Sequence, residues 1–182
     1  KDTEHPNLQH ITSLQRINRD DYLWMDRFTI RNLELLSTGM GDGHTLHKVL
    51  DHTVSPMGGR MLKRWIVLPL TDINKINERL NLVEYFIKET ELRTGIIQKI
   101  KLSGDIERLV SKISLKKINP REVMQIARGL QQVESIKQVC ASAGNEYLKR
   151  LADSLNACSY IREKIEQQVA EMERFTYTVS HD

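Results

Sequence analysis

The amino-acid sequence predicts a mainly α-helical domain with one short β segment near the N-terminus, and three observations favour this fold class. Aromatic residues make up only 5% of the 182 residues and there are only four prolines, whereas β-sandwiches and barrels need many short strands and frequent turns. Long stretches are rich in Leu, Ile, Glu, Lys, Arg and Gln, which favour helices. In the second half of the chain, apolar residues recur at steps of three or four, which gives a helix one apolar face.

The β segment is expected in the N-terminal third of the chain. Residues 1–13 contain Pro6 and no apolar period, and we interpret them as a linker. Residues 14–36 interleave polar side chains with aromatic and β-branched ones, which predicts one or two short strands. Residues 37–43 contain three glycines and predict a flexible loop.

Capping residues predict where the first helices begin. Thr45 is placed to cap a short helix that runs to about His52. Ser55 followed by Pro56 is a strong start, because a hydroxyl caps the helix and proline suits its first position. Pro69 ends that helix.

The next helices follow the same logic. Asp72 can cap a helix with one apolar face made of Ile73, Ile76, Leu80, Val83 and Ile87. A shorter helix is expected over residues 91–100, and Gly104 breaks the helical pattern after it. Either Ser103 or Asp105 then caps the next helix.

Two long helices complete the prediction. Asn119 and Pro120 begin a run to about residue 140, a turn follows over residues 141–145, and one last helix covers residues 148–172. A helix of more than about 20 residues is about 30 Å long, well beyond the ~11-residue average. We expect the two to be antiparallel, an arrangement that carries force or spans distance more often than it houses chemistry.

Charge and cysteine content limit the function classes. The 27 Lys and Arg exceed the 24 Asp and Glu by little, so the surface as a whole is not that of a nucleic-acid-binding protein. Cys140 and Cys158 are too few for a disulfide framework, and we expect both to be reduced and buried in a cytoplasmic protein. No apolar run reaches the ~18 residues of a membrane span. Because the sequence begins with Lys1 instead of Met, we expect one module of a longer chain.

The sequence gives only weak signals for a catalytic or metal site. The glycines of residues 39–43 lack the Lys-Ser/Thr of a Walker loop and the strand and spacing of a Rossmann fingerprint. His44, His47 and His52 lie close in sequence, but zinc sites usually add cysteine or acidic ligands. We therefore expect no catalytic residue, no cofactor and no metal in this chain.

Two clusters of basic residues leave two interpretations open. They consist of Arg60, Lys63 and Arg64, and of Lys112, Lys116 and Lys117. Either cluster could give weak, salt-sensitive and sequence-blind contacts to phosphates, and we note this above all for the second. A solvated helix face is the alternative.

Several motifs occur in one order along the chain, and together they resemble the core domain of the MutS DNA mismatch repair proteins. They are DRFTIRNLEL at 26–35, TL at 45–46, TVSPMGGRMLKRW at 53–65, LPL at 68–70, INERL at 76–80, GDIERL at 104–109 and NPRE at 119–122. The likeness covers roughly residues 10–169.

The resemblance implies a structural role for the motif residues. They are Thr29, Arg31, Asn32, Leu33, Glu34, Thr45, Leu46, Ser55, Pro56, Met57, Gly58, Gly59, Arg60, Leu62, Arg64, Trp65, Pro69, Leu70, Arg79, Asp105, Glu107, Arg108, Pro120 and Arg121. By this likeness residues 1–13 are a connector remnant and residues 14–170 the core with its long lever helices. Gly58 and Gly59 permit a tight helix start with close packing, and Trp65 anchors the core.

In the family, the core links the DNA-gripping clamp and the mismatch-binding end to an ATPase. The resemblance thus implies mechanical coupling in DNA mismatch repair, with ATP and Mg bound by another domain. It also implies mismatched double-stranded DNA held by other domains, a homodimer and a MutL-type partner. The family's mismatch-reading Phe-x-Glu is absent at Phe28 and Phe86, and a Walker loop is absent too, so we expect no enzymatic activity from this chain alone.

Alternatives and one departure stay open at this stage. The chain could belong to a MutS paralogue that acts on recombination intermediates, or be an unrelated helical scaffold that binds a protein. An autonomous enzyme that uses the histidines would require bound metal. Residues 171–182 do not resemble the acidic, proline-rich start of the clamp, and residues 176–179 suit a short strand better than a helix.

Overall fold

The computed structural model describes residues 21–37 and 43–179, and within these ranges the chain forms nine helices. They are α1 (Arg27–Asn32), α2 (Leu46–Leu50), α3 (Pro56–Val67), α4 (Ile73–Lys88), α5 (Thr90–Ser103), α6 (Ile106–Ser114), α7 (Pro120–Ala141), α8 (Glu146–Ser154) and α9 (Ser159–Val179). The prediction of a mainly α-helical domain is confirmed. The expectations for residues 1–20 and 38–42 lie outside the described residues.

The predicted helix starts are confirmed by their caps. Side chains that accept a backbone N–H at these starts are those of Thr45, Ser55, Asp72, Asp105 and Asn119. The start of α7 is the most complete, because Asn119 Oδ1 accepts the Glu122 N–H at 2.9 Å while Glu122 Oε2 accepts the Asn119 N–H at 3.2 Å. This reciprocal capping box satisfies two N–H groups that would otherwise lack partners.

The predicted β segment is wrong for the part of it that the structure describes. Residues 27–32 form α1, because Asp26 Oδ1 accepts the Thr29 N–H at 2.6 Å and caps a helix where alternation suggested a strand. Strand-like pairing in the described ranges is limited to one antiparallel bridge between Tyr22 and Leu70. A local cap therefore outweighs a short alternating pattern.

The last long run is two helices instead of the predicted one. It breaks between α8 and α9, where Cys158 adopts φ of +49° and Asn156 Oδ1 accepts the Cys158 N–H at 2.9 Å. The asparagine side chain thus replaces a helical backbone bond with a local turn. The strand suggested for residues 176–179 is also wrong, because α9 continues to Val179.

Helix α7 is central to the packing. It contacts α5, α6, α8 and α9, and the main buried cluster consists of Ile96, Cys140, Ala143, Leu148 and Ala152. Burial raises the pKa of the Cys140 thiol, so this cysteine is a small, inert core residue, as predicted. Cys158 is free but only partly buried, so the prediction of burial is wrong for it.

Helix α4 turns a different face to the core from the one predicted. Leu80 is 59% exposed, and Ile73, Val83 and Ile87 are exposed as well. Leu82, Tyr85 and Phe86 pack against the buried cluster instead, and the Tyr85 hydroxyl accepts the Gly144 N–H at 3.1 Å. Because α4 carries two apolar faces, its periodicity alone could not decide which one lies inside.

The two long helices α7 and α9 contain 22 and 21 residues. They pack against each other and leave an open apolar groove of about 630 Å³, lined among others by Val123, Ile161, Ile165 and Val169. The long helix predicted from Asn119 is confirmed as α7, whereas the one predicted over residues 148–172 is divided, and α9 reaches 21 residues only because it continues to Val179.

Candidate functional site

Two of the motifs recognised in the sequence meet in space at Arg60. This arginine lies on α3, and its guanidinium binds two carboxylates at the start of α6, 45 and 47 residues further along the chain. Its Nη1 and Nη2 donate to Asp105 at 3.1 and 2.6 Å, while Nε and Nη2 donate to Glu107 at 2.9 and 2.7 Å. Paired contacts of this kind fix geometry as well as distance.

Local structure positions each partner of Arg60. Asp105 is the N-cap of α6, so its carboxylate also accepts the Arg108 N–H at 3.2 Å. Glu107 lies in the first turn of α6, where a negative charge complements the helix dipole. The cap therefore positions the Asp105 carboxylate independently of Arg60, and the first turn of α6 places Glu107 beside it.

Electrostatics are consistent with this arrangement. The hydrogen bond from Arg60 is the largest cause that lowers the pKa of Asp105, and bonds to Asp105 and then Glu107 raise the pKa of Arg60. The Asp105 side chain is 17% exposed and that of Arg60 45%, so water screens the pair in part. The contact defines relative position more than it adds stability.

The glycines of the central motif allow the first turn of α3 to pack closely on the preceding loop. A Cβ at Gly58 would lie 3.2 Å from Ser55 Oγ, and one at Gly59 would lie 3.3 Å from Thr53 Oγ1. Thr53 is itself fixed, because its hydroxyl donates to Asp51 at 2.6 Å, and this bond lowers the pKa of Asp51. This close approach agrees with the role that the resemblance implied.

Gly129 is a site residue that sequence reasoning missed. A Cβ there would lie 2.7 Å from the Ser103 carbonyl oxygen and 2.8 Å from Ile106 Cδ1. Helix α7 therefore crosses the α5–α6 corner at backbone contact, next to Gly104, whose φ is +67°. The signal in the sequence was a glycine in the middle of a long helix, which usually has a packing reason.

Arg60, Asp105, Glu107 and Gly129 together connect α3, α6 and α7, and we name this set the junction. Arg60 ties α3 to the start of α6, and Gly129 brings α7 against the same corner. Moving α7 closer to the corner would create steric overlap at Gly129, and moving α6 away from α3 would break the charged hydrogen bonds of Arg60.

Trp65 does not anchor the core as predicted. Its side chain is 43% exposed, and the guanidinium carbon of Arg79 lies 3.8 Å from its ring centroid. This cation–π contact joins α3 to α4 on the surface. Trp65 is thus half-exposed and stacks on Arg79 instead of being buried in the core.

Other motif residues connect the N-terminal part of the described chain to α2 and to the end of α3. Near the N-terminus, the Glu34 and Leu35 carbonyls accept the N–H groups of Leu46 and His47 at 3.1 and 3.0 Å, which attaches α2 to the turn after α1. The Leu23 N–H donates to the Pro69 carbonyl at 2.9 Å. The motif residues with exposed side chains include Arg31, Asn32, Leu33, Arg64, Pro120 and Arg121.

The second basic cluster is divided by the structure. Lys112 forms an ion pair with Glu122, and this hydrogen bond is the largest cause that lowers the Glu122 pKa. Lys116 and Lys117 are exposed in the turn between α6 and α7. The cations of this cluster therefore have unequal access to an external ligand.

Two properties of the described residues bear on metals and membranes. Within residues 21–37 and 43–179, no three His, Cys, Asp or Glu side chains are grouped as a metal site requires. His47 Nε2 lies 3.5 Å from Asp51 Oδ2. The helices in these ranges are all too short or too polar to span a bilayer.

Comparison with known proteins agrees with the motif order. A family model described as MutS domain III matches residues 28–178. The chain is 48% identical over 167 residues to the DNA mismatch repair protein MutS of Phocaeicola vulgatus, covering 92% of this chain and 19% of the relative. It is 45% identical to MutS of Bacteroides thetaiotaomicron, again over 92% of this chain and 19% of the relative. It is 45% identical to MutS of Christiangramia forsetii, over 93% of this chain and 20% of the relative. The chain thus spans about a fifth of the length of these relatives, and the match over most of its residues shows that it belongs to the MutS domain III family.

Proposed function

We propose that this chain acts as the lever-bearing core of a DNA mismatch repair protein and transmits displacement between DNA-binding and nucleotide-binding ends. The observation that carries this proposal is the junction, in which Arg60 binds Asp105 and Glu107 while Gly129 lies against the same corner. Packed interiors are stiff and transmit strain. The α6–α7 crossing at Gly129 is packing of this kind, and we propose that the charged hydrogen bonds of Arg60 pass a displacement of α6 on to α3.

The dimensions of the long helices support this role. At 1.5 Å per residue, helices of 22 and 21 residues are each about 30 Å long. A small rotation at the junction becomes a larger displacement at the far end of such a helix. By linkage, any effect of nucleotide on DNA affinity must equal the effect of DNA on nucleotide affinity.

The other parts of the proposed machine lie in other domains. We propose that ATP and Mg bind an ATPase domain, that mismatched double-stranded DNA is held by clamp and mismatch-binding domains, and that the whole protein is a homodimer with a MutL-type partner. This chain would have no enzymatic activity of its own. We also propose a cytoplasmic location, which two free cysteines support.

The names of the relatives favour mismatch repair over the alternatives. Each relative named above is called a DNA mismatch repair protein, which supports repair over a role in recombination. No contact within the described residues favours an unrelated scaffold or a metal enzyme, and the family match speaks against both.

The proposal can be tested in a chimera in which this chain replaces domain III of the Phocaeicola vulgatus protein. We expect DNA to stimulate ATP hydrolysis by the chimera and Arg60→Ala to reduce that stimulation. Lys88→Ala is the matched control, because it removes an ion pair to Glu84 between two exposed side chains of α4, a helix that contributes no residue to the junction. Equal stimulation in the chimera and its Arg60→Ala variant would contradict the proposal.

A further inference from the structure

We infer that the α6–α7 turn is a binding surface for the phosphate backbone of duplex DNA. The cations of this surface, which we name the basic turn, are Arg108, Lys112, Lys116, Lys117 and Arg121. The inference rests on the proposed function for the presence of DNA, but it assigns this chain a direct contact that coupling alone does not require.

The acids around the basic turn are already neutralised. Glu122 is paired with Lys112, and the charge of Arg108 further lowers the Glu122 pKa. Asp105 and Glu107, at the other end of α6, are both bound by Arg60. None of these three carboxylates is paired with Lys116, Lys117 or Arg121.

Three cations stay available to an external ligand. Lys116, Lys117 and Arg121 are exposed, and none of them forms an ion pair within the described ranges. They lie between positions 116 and 121, in the turn before α7 and in its first turn. A cluster of unpaired cations on one surface is the electrostatic footprint of a polyanion site.

Two backbone hydrogen bonds close the turn after α6. Lys116 adopts φ of +53°, a left-handed conformation that normally favours glycine. Its N–H donates to the Ile113 carbonyl at 2.9 Å, and the Lys117 N–H donates to the Lys112 carbonyl at 3.0 Å. A lysine at a position where glycine is easier keeps a charge at the tip of the turn.

The residue types decide which class of ligand fits. Duplex DNA presents closely spaced phosphates that Lys and Arg bind without reading sequence. One exposed aromatic ring, that of Tyr160, lines the groove beside Pro120, whereas platforms for single strands stack successive bases on several aromatic side chains. We therefore expect affinity that depends on salt and is the same for matched and mismatched duplexes.

The test measures binding of a short fluorescein-labelled duplex by fluorescence anisotropy between about 50 and 200 mM salt. It compares this chain with a variant carrying Lys116→Gln, Lys117→Gln and Arg121→Gln. The control carries Lys48→Gln, Lys63→Gln and Lys101→Gln, which remove three exposed lysines from α2, α3 and α5 and give the same net charge. Circular dichroism verifies that all three proteins are folded.

We expect the basic-turn variant to bind at least about tenfold more weakly and its salt slope to fall by roughly 2–3, since each lost phosphate contact removes about 0.9. The control should retain most of the affinity and slope. Equal losses in both variants, or no binding tighter than about 10⁻⁴ M by the unchanged chain at low salt, would overturn the inference. Binding to vesicles of anionic lipid in preference to duplex DNA would overturn it as well. None of these results depends on ATP hydrolysis, so failure here leaves the coupling proposal to its own test.

Discussion

Gly129 is the residue at which helix packing is most constrained. A Cβ there would come within 2.7 Å of the Ser103 carbonyl oxygen, and that backbone atom cannot move aside without shifting α5. We expect Gly129→Ala to lower the free energy of unfolding by about 1–3 kcal/mol, as overpacking does. Urea denaturation measures this change.

Gly95 provides the matched control for Gly129. It lies inside α5, and a Cβ there would meet nothing within 4 Å. Gly95→Ala should raise the free energy of unfolding by about 0.5–1 kcal/mol, because alanine favours a helix interior. A stabilising effect of Gly129→Ala would show that α7 does not cross the corner at backbone contact.

Trp65 shows how exposure changes an energetic expectation. Truncating a fully buried tryptophan costs about 3–5 kcal/mol, but this ring is 43% exposed and stacks on Arg79. We expect Trp65→Ala to cost about 1–2 kcal/mol, of which roughly 0.5–1 is the cation–π contact. A double-mutant cycle with Arg79→Ala separates the two contributions. A cost above about 3 kcal/mol would restore the core-anchor interpretation.

Asp105 predicts a pH dependence of stability. Its folded pKa lies below its ordinary value, mainly because Arg60 donates to it. Such a carboxyl stabilises the fold above its unfolded pKa of about 3.9 and loses that contribution as the pH falls through the folded pKa. Asp105→Asn keeps a good cap but should lower Tm more at pH 7 than at an acidic pH below the folded pKa of Asp105, where the carboxylate of the ion pair is protonated in the unchanged protein too.

The exposed Asp153 of α8 is the control for Asp105. Asp153→Asn should leave Tm close to that of the unchanged protein across the same pH range. If Asp105→Asn lowered Tm equally at neutral and acidic pH, the ion pair with Arg60 would not be the source of its effect.

At the scale of helices, α8 buries an apolar face, whereas α4 exposes the apolar face that the sequence predicted to be buried. Leu148 of α8 is 1% exposed, whereas Leu80 of α4 is 59% exposed. We expect Leu148→Ala to cost about 2–5 kcal/mol and Leu80→Ala less than about 1 kcal/mol, measured by urea denaturation. Similar costs at the two positions would mean that the face of α4 predicted from its periodicity is the buried one after all.

Helix starts could be predicted from the sequence because capping is local chemistry. Ser55 and Asn119 bind N–H groups only three residues away, so the necessary information lies in one turn. The break before α9 could not be predicted in this way, because the apolar period continues across it through Leu155 and Cys158. The chain leaves the helix at Leu155, and the Asn156 side chain then accepts the Cys158 N–H in the turn before α9.

The junction could be predicted only in its parts. Arg60 and Asp105 were identified through family motifs, but their contact depends on how α3 and α6 are arranged in space. Gly129 was not identified, since a helical glycine shows its packing role only when the crossing partner is known. The exposed face of α4 depends in the same way on neighbours that periodicity does not specify.

At the scale of the whole molecule, the central claim is that the junction couples two distant sites. Coupling between sites is a free energy, and it must act equally in both directions. In the unchanged chimera, DNA should therefore change the affinity for nucleotide by some factor. Nucleotide should change the affinity for DNA by the same factor.

The most direct measurement is this pair of equilibrium affinities in the chimera with and without Arg60→Ala. A non-hydrolysable ATP analogue allows both to be measured without turnover. In the Arg60→Ala variant, we expect both factors, that of DNA on nucleotide affinity and that of nucleotide on DNA affinity, to move towards one. The Lys88→Ala control should keep both factors unchanged. If the two factors stayed at their original size after Arg60→Ala, the junction would not carry the coupling.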